Sequence, residues 1–179
     1  KVYDKGSGAV LIVDITSDDQ NGRRVATNRA SIFLRGRGNF GGERGPSGRV
    51  DSPPERAPDA ALAEKTESNQ ALLYRLASGD YNPFHVDSRF SALMGYERPI
   101  LHGLCTYGFA ARAVLKRFAG NDSDRFKSIK TRFSRHIYPG ETIETAMWKM
   151  SDTHIRFRSR VVERDEIVLT NGVLVLHAR

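Results

Sequence analysis

The sequence has 179 residues, 39% of them hydrophobic and 27% charged, with a net charge of +7 that fits either an anionic partner or a solvated basic surface. No apolar run approaches the about 20 residues of a membrane span and no signal segment opens the chain, so we expect a soluble intracellular protein without a membrane partner. The single cysteine, Cys105, excludes an internal disulfide and fits a reducing compartment.

Two β-rich segments open the chain. Residues 9–15 and 25–34 are rich in β-branched and apolar residues, and Asn21-Gly22 between them is a hairpin turn signal. Residues 36–58 are dense in Gly, Pro and Arg, which predicts a linker or a long surface loop. The glycines of this segment lack the spacing of a phosphate-binding loop, so we assign it no such role.

A strand and two short helices are predicted next. Residues 59–66 are expected to form the strand. Ser68 is the predicted N-cap of the first helix, whose leucines have helical spacing and which Gly79 ends. A second short helix is expected to begin near Ser88.

The clearest predicted helix spans residues 103–119. Its predicted apolar stripe consists of Leu104, Tyr107, Gly108, Ala111, Leu115 and Phe118. A β pattern follows to the end of the chain, with turns predicted at 139–142 and 163–166. In one stretch of it, Ile155, Phe157, Ser159 and Val161 alternate with His154, Arg156, Arg158 and Arg160. A long helix followed by antiparallel strands predicts an α+β fold, with the helix on one face of the sheet.

Within the stretch YRLASGDYNPFHVD, residues 74–87, three polar side chains lie close together after Gly79, the residue that ends the first predicted helix. Pro83 fixes its own φ angle and pushes Asn82 toward an extended conformation, so we expect a shaped loop. In such a loop Asp80 and His85 can face one cleft as an acid–base pair for adding or removing water, and Asn82 offers a donor to a substrate oxygen. The sequence HGL, residues 102–104, begins the long helix and offers N–H groups that can polarise a carbonyl.

Each of these features has an alternative interpretation. Asp80 and Asn82 are also common turn residues, and His85 also occurs as a hydrogen-bonded structural residue. A metal site built from Asp80, His85 and His102 is conceivable, although the spacing matches no zinc signature. Cys105 is either a nucleophile or, because it lies one turn into an apolar helix, a buried inert thiol.

Residues 74–87, together with RPILHGLCTYGFAARAVL at 98–115, resemble the motif of the MaoC-like (R)-specific enoyl-CoA hydratases, the hydratase 2 family. The nearest subgroup is the hydratase 2 part of the peroxisomal multifunctional enzymes of type 2 and their bacterial relatives. The similarity extends over nearly the whole chain. One departure is the extra alanine in RLASGD, where relatives commonly read RLSGD, and it leaves the spacing inside the motif intact.

The resemblance implies a hot-dog fold, in which a curled antiparallel sheet wraps a long helix, and more closely the C-terminal part of a double hot dog. Residues 1–45 would be the last strands of a first unit, 46–58 a linker, and 59–179 the complete catalytic unit. Most of the first unit would then lie outside these 179 residues. Residues 25–35 share Val, Thr and Asn with residues 168–178 at matched positions, which agrees with such a repeat.

The resemblance also implies an activity, the hydration of trans-2-enoyl-CoA to (3R)-3-hydroxyacyl-CoA in fatty-acid β-oxidation. Asp80 and His85 would hold and activate the water, and Asn82 would position it. The Gly103 N–H would form the oxyanion hole for the thioester oxygen. Neither a metal nor a redox cofactor is expected, since coenzyme A is part of the substrate.

Further expectations follow from the same resemblance. Lys5 and Phe133 match family positions that contact the CoA portion, and Tyr81, Pro83 and Phe84 are assigned to substrate binding. A lysine suits a phosphate, although an average lysine near a turn is simply exposed. We expect a homodimer, in the peroxisomal matrix of a eukaryote or in the cytoplasm of a bacterium.

Two other functions compete with this hypothesis. The first is another hot-dog enzyme, such as an acyl-carrier-protein dehydratase or an acyl-CoA thioesterase. The second is a basic nucleic-acid-binding module, which needs exposed aromatic residues among its basic ones. The face with Arg156, Arg158 and Arg160 has the charge but carries no aromatic residue on the same alternation, so we expect no nucleic-acid partner.

Overall fold

A computed structural model describes residues 1–46 and 52–178. By its internal contacts the chain divides into two compact units, Lys1–Arg49 and Val50–Arg179. Among the described residues, no helix is both long and apolar enough to cross a membrane.

The first unit is a three-stranded antiparallel sheet. Its strands are β1 (Val2–Asp4), β2 (Gly8–Asp18) and β3 (Arg24–Arg35), in that order. The predicted hairpin is confirmed: the Asp19 carboxylate accepts the N–H groups of Asn21 and Arg23, and Gly22 takes a φ of 75°. This local chemistry sets the turn that joins β2 to β3.

The glycine-rich segment after β3 packs against a carboxylate. Asp4 is buried, and its side chain accepts the N–H groups of Gly6, Asn39 and Gly41 at 2.8–3.0 Å. These bonds hold the pKa of Asp4 below its usual value. Backbone donors that a phosphate-binding loop would offer to its ligand therefore contact Asp4 instead. The predicted linker at 46–58 includes residues 47–51, which lie outside the described residues, and 52–58 contain neither helix nor strand.

In the described part of the second unit, three α-helices accompany a five-stranded sheet. The helices are α1 (Gln70–Ser78), α2 (Ser88–Leu93) and α3 (Gly103–Phe118). The strands are β4 (Ala60–Lys65), β5 (Phe126–Phe133), β6 (Thr142–Lys149), β7 (His154–Val161) and β8 (Glu166–Leu176). They follow the order β4-β6-β7-β8-β5, and every neighbouring pair is antiparallel.

The core of this unit lies between α3 and one face of the sheet. In β7 the predicted alternation is confirmed, because Ile155, Phe157, Ser159 and Val161 are fully buried while His154 and Arg158 are exposed. Ala110, Ala113 and Val114 of α3 belong to the same buried cluster as Phe157. The α+β fold and its hot-dog arrangement of one long helix on an antiparallel sheet are thereby confirmed.

The predicted N-cap of the first helix is wrong by one residue. The cap is Asn69, whose carbonyl accepts the N–H groups of Leu72 and Leu73, and not Ser68. No side chain makes a capping bond there, so the hydroxyl of Ser68 gives the helix no advantage. The predicted end is confirmed, since Gly79 adopts the left-handed conformation that favours glycine.

The predicted apolar stripe of the long helix is partly wrong. Its buried residues are Cys105, Thr106, Ala110, Ala113 and Val114. Leu104 is 60% exposed, whereas Ala111, Leu115 and Phe118 pack against the edge of the core. Small residues face the sheet because they let the helix approach it closely, so the larger ones lie to the side.

Candidate active site

The loop between α1 and α2 is shaped by Gly79, Asn82 and Pro83. Gly79 ends α1, and the Asp80 carboxylate then accepts the Asn82 N–H at 3.2 Å. Asn82 has φ and ψ of −57° and 120°, the extended conformation predicted for a residue before proline. Pro83 starts a single 3₁₀ turn that ends at His85. The sequence therefore folds this segment into the predicted shaped loop.

His85 is buried and its ring orientation is fixed. Its Nδ1 lies 2.8 Å from the carbonyl oxygen of Ile100. Because a carbonyl oxygen only accepts, Nδ1 must carry the proton and the neutral ring keeps its lone pair on Nε2. The Asp80 carboxylate, His85 and His102 offer ligand atoms that all lie within 4.8 Å of one another. The predicted pair of Asp80 and His85 is thus brought together.

The start of α3 supplies the predicted backbone donor. Gly103 is the first helical residue, and the first N–H groups of a helix have no partner within it. A Cβ at Gly103 would lie 3.3 Å from the Phe133 ring, so this ring covers one side of the helix start. The N-terminal end of the helix dipole favours negative charge at this point.

A cavity of about 570 Å³ lies beside His85 and Gly103. Its apolar wall includes Phe84, Ile100, Leu101, Phe133, Ile137 and Leu169. His85 and Gly103 line it as well, whereas Asp80, Tyr81, Asn82 and Pro83 do not. The volume suits a small-molecule ligand. A second cavity, of about 610 Å³, lies beside Trp148 and Arg158 and is lined by no histidine.

Tyr81 and Lys5 lie outside the lining of this cavity. Tyr81 is 60% exposed, and its ring lies 4.6 Å from the Arg75 guanidinium carbon. Lys5 belongs to the first unit, where its Nζ contacts the Pro46 carbonyl at 3.4 Å. Its contact with a ligand stays a prediction.

The metal site that the sequence left open, at Asp80, His85 and His102, has an unfavourable ring geometry. The rings of His85 and His102 stack with centroids 3.7 Å apart at 22° to each other. Ring-nitrogen lone pairs lie in the ring planes, so two nearly parallel rings 3.7 Å apart cannot both direct a lone pair at one ion. A tetrahedral site needs its ligands to converge at about 2.0 Å on the ion.

Several residues that line this cavity were not found from the sequence. Tyr96, Thr106 and His136 also line the cavity. Thr106 follows Gly103 by one helical turn, so its spacing was a usable signal. Tyr96 and His136 contact each other edge to face, with centroids 5.0 Å apart, and such a contact between distant segments has no local signature.

Cys105 is a buried thiol, as one of the two interpretations predicted. Burial raises its pKa to about 11, so the reactive thiolate is scarce at neutral pH. We expect Ellman's reagent to label Cys105 only after unfolding, and Cys105→Ala to keep the parental kcat. Rapid labelling of the native protein with loss of activity would contradict this assignment.

Two histidines make the stability depend on pH. Burial lowers the pKa of both His102 and His136 below the ordinary value of 6.5. Below that pH the unfolded chain binds more protons than the folded one, so the free energy of unfolding falls as the pH falls. Above that pH both histidines are neutral in the folded and the unfolded chain, so they no longer lower the free energy of unfolding. We expect denaturant midpoints to drop between about pH 7.5 and about pH 5.5.

A matched pair of variants checks this effect. His136→Phe keeps the edge contacts with Tyr96 and Tyr138 and removes one titrating ring. We expect its midpoint to fall less than that of the parent over the same pH interval. His177→Gln changes an exposed histidine and should keep the parental slope. A parental slope in His136→Phe would show that His136 does not contribute.

Known proteins share both the sequence and the fold. Residues 49–172 match the family described as MaoC like domain. A probable enoyl-CoA hydratase 2 of Dictyostelium discoideum is 51% identical over 177 residues, which cover 98% of this chain and 60% of that protein. The peroxisomal multifunctional enzyme type 2 of the mouse is 46% identical, over 98% of this chain and 24% of its own length.

A solved structure agrees with these matches. The crystal structure of a MaoC-like dehydratase from Phytophthora capsici superposes with a TM-score of 0.92 at 39% identity. The superposition covers 99% of this chain and 62% of that one. The chain thus spans less than two thirds of each of these relatives. The matched residues include the whole loop from Asp80 to His85 and the start of α3, and the chain belongs to the MaoC-like family.

Proposed function

We propose that this protein hydrates trans-2-enoyl-CoA to (3R)-3-hydroxyacyl-CoA, in fatty-acid β-oxidation. The observation that carries the proposal is the placement of Asp80 and His85 within 4.8 Å of each other, with His85 and Gly103 on one cavity. An acid–base pair beside a free helix N-terminus is what the addition of water to an enoyl thioester needs. Relatives named enoyl-CoA hydratase 2 support the choice of substrate.

The proposed reaction uses one water molecule. Asp80 and His85 hold it, and one of them takes a proton as the water oxygen bonds to C3 of the substrate. The electrons of the double bond move toward the thioester oxygen, where the Gly103 N–H stabilises the negative charge. The acid–base pair then gives a proton to C2 and returns to its starting protonation state. The product contains all atoms of the substrate and the water.

Other residues are proposed to bind the substrate. Phe84 and Phe133 line the cavity and supply apolar surface. Lys5 is proposed to contact a CoA phosphate, and Asn82 to orient the water. Tyr81 and Pro83 are exposed on the loop between α1 and α2, and they are proposed to contact the substrate there. Hydration leaves no redox change to balance, so we propose that no redox cofactor takes part. The stacking of His85 on His102 supports the further proposal that the reaction uses no metal.

The nucleic-acid alternative is not favoured by the arginine face of β7. Arg160 pairs with Glu144 and Asp165 at 2.7 and 2.8 Å. The Arg158 guanidinium lies 5.8 Å from the Trp148 ring, but that ring is 3% exposed and is not available to stack on a base. The face therefore offers positive charge without a stacking platform.

The longer protein is proposed to be a homodimer in which residues 1–45 complete another hot-dog unit. Every residue of β3 is exposed, including Val25, Ile32, Phe33 and Leu34, so this strand has apolar surface for further chain to cover. A peroxisomal location is proposed for a eukaryotic source, in line with relatives described as peroxisomal, and a cytoplasmic one for a bacterial source.

One assay separates the candidate reactions. We expect the full-length protein to remove the enoyl absorbance of trans-2-decenoyl-CoA without releasing free thiol. The product should be oxidised by a 3-hydroxyacyl-CoA dehydrogenase specific for the (R) isomer and not by one specific for (S). Thiol release would show a thioesterase, and activity on the acyl-carrier-protein thioester alone would show a dehydratase of that class.

A further inference from the structure

His102 contacts both members of the acid–base pair. Its ring stacks on His85 with centroids 3.7 Å apart. Its Nε2 lies 3.3 Å from the carbonyl oxygen of Asp80, which fixes the backbone of the loop at that residue. The Tyr74 ring packs 4.8 Å from the same imidazole. One buried side chain thus touches the ring of one partner and the backbone of the other.

His102 is also joined to the proposed oxyanion hole through the chain itself. It is the N-cap of α3, and its carbonyl accepts the N–H groups of Cys105 and Thr106 at 3.0 and 3.3 Å. These bonds hold the first turn of the helix, whose first residue is Gly103. Any shift of His102 therefore moves the Gly103 donor relative to His85.

We propose that His102 is a positioning residue. It holds His85, Asp80 and the Gly103 N–H in the relative positions that hydration needs. The inference rests on the proposed function. His102 does not line the cavity and so acts through its neighbours, whereas His85 and Gly103 do line it. Displacing a reacting group by about 1 Å can cost about 100-fold in rate, which gives such a residue a large effect without substrate contact.

The tautomer of His102 fits this role. The Asp80 carbonyl only accepts, so Nε2 carries the proton and Nδ1 keeps a lone pair. That Nδ1 is buried and has no hydrogen-bond partner among the described residues. Burial, and next the neighbouring His85, lower the pKa of His102. A neutral ring does not repel His85 when His85 takes a proton.

Three variants separate the two contacts of His102. His102→Phe keeps a ring for stacking and loses the Nε2 donor, His102→Gln keeps a donor near that position and loses the ring, and His102→Ala loses both. We expect kcat to fall about 10-fold in each of the first two and about 100-fold in His102→Ala. KM should stay near the parental value in all three, because His102 does not contact the substrate.

A residue that only supports the fold would give another pattern. Each variant is assayed well below its own melting temperature, so that lost stability does not enter kcat. Retention of the parental kcat in folded His102→Ala would overturn the proposal, and so would a raised KM at unchanged kcat. A parent that fails to hydrate enoyl-CoA would overturn the proposed function instead.

A spectroscopic readout tests the positioning without turnover. The chain has five histidines, so ¹⁵N-labelled imidazoles can be assigned by single substitutions. Near neutral pH we expect His102 to be neutral with its proton on Nε2, and the His85 signals to move in His102→Ala. A proton on Nδ1 of His102, or unmoved His85 signals, would contradict the proposal.

Discussion

Asp80→Asn is expected to lower kcat for enoyl-CoA hydration by about 100-fold to 10,000-fold, the range that a positioned acid or base contributes. The amide has the shape of the carboxylate, and its oxygen can still accept the Asn82 N–H, so the loop should keep its conformation. What the variant loses is a group that exchanges a proton with water. The measurement is the loss of enoyl absorbance under saturating substrate, with the melting temperature taken in parallel.

Asp87→Asn is the matched control for this variant. It makes the same change of charge in the same segment, and Asp87 caps α2 and pairs with Arg89. Asparagine also caps helices well, so the fold should be kept and kcat should stay near the parental value. Equal rates in the parent and in Asp80→Asn would remove Asp80 from the chemistry. Equal losses in both aspartate variants would point to a general effect of charge.

Gly103→Pro is expected to lower kcat by about 100-fold to 1,000-fold, as the loss of one oxyanion-hole donor does in other enzymes. Proline lacks the backbone N–H and is favoured at the first position of a helix. The preceding His102 has φ and ψ of −58° and 132°, the extended conformation that a following proline requires. The substitution therefore removes the donor while the helix keeps its start.

Gly103→Ala controls for the added side chain. Its Cβ would lie 3.3 Å from Phe133, so that ring must move by a few tenths of an ångström, but the N–H remains. We expect kcat to fall much less than in Gly103→Pro. If both variants lost the same activity, the crowding of Phe133 and not the missing donor would be the cause.

Local chemistry explains which elements were predictable. Asn21-Gly22 marks the hairpin turn, Gly79 marks the end of α1, and Pro83 forces an extended residue before it. Each signal acts through the conformation of one or two residues, and that conformation is the same whatever packs around it. The loop that carries Asp80 and His85 could be predicted for this reason.

Apart from the N-cap of α1, the failures of the sequence analysis lie where tertiary packing decides the structure. The apolar stripe of α3 was predicted to include Leu104. The face that is buried instead carries the small residues Ala110 and Ala113, because the sheet lies close to it. The stacking of His102 on His85 joins residues 17 positions apart and depends on how α3 docks. Such contacts are set by the tertiary structure, and no spacing in the sequence encodes them.

The position of Gly103 at the N-terminus of α3 has a consequence for how this chain can evolve. The same helix supplies the core through Ala110 and Ala113, neither of which is more than 1% exposed. A larger side chain at either position would push the helix from the sheet and displace the Gly103 donor with it. With the proposed role of Gly103, selection for stability and selection for catalysis would therefore act on the same helix. With the proposed site, we expect new substrate preferences to arise at exposed loop positions such as Tyr81 and not in this helix.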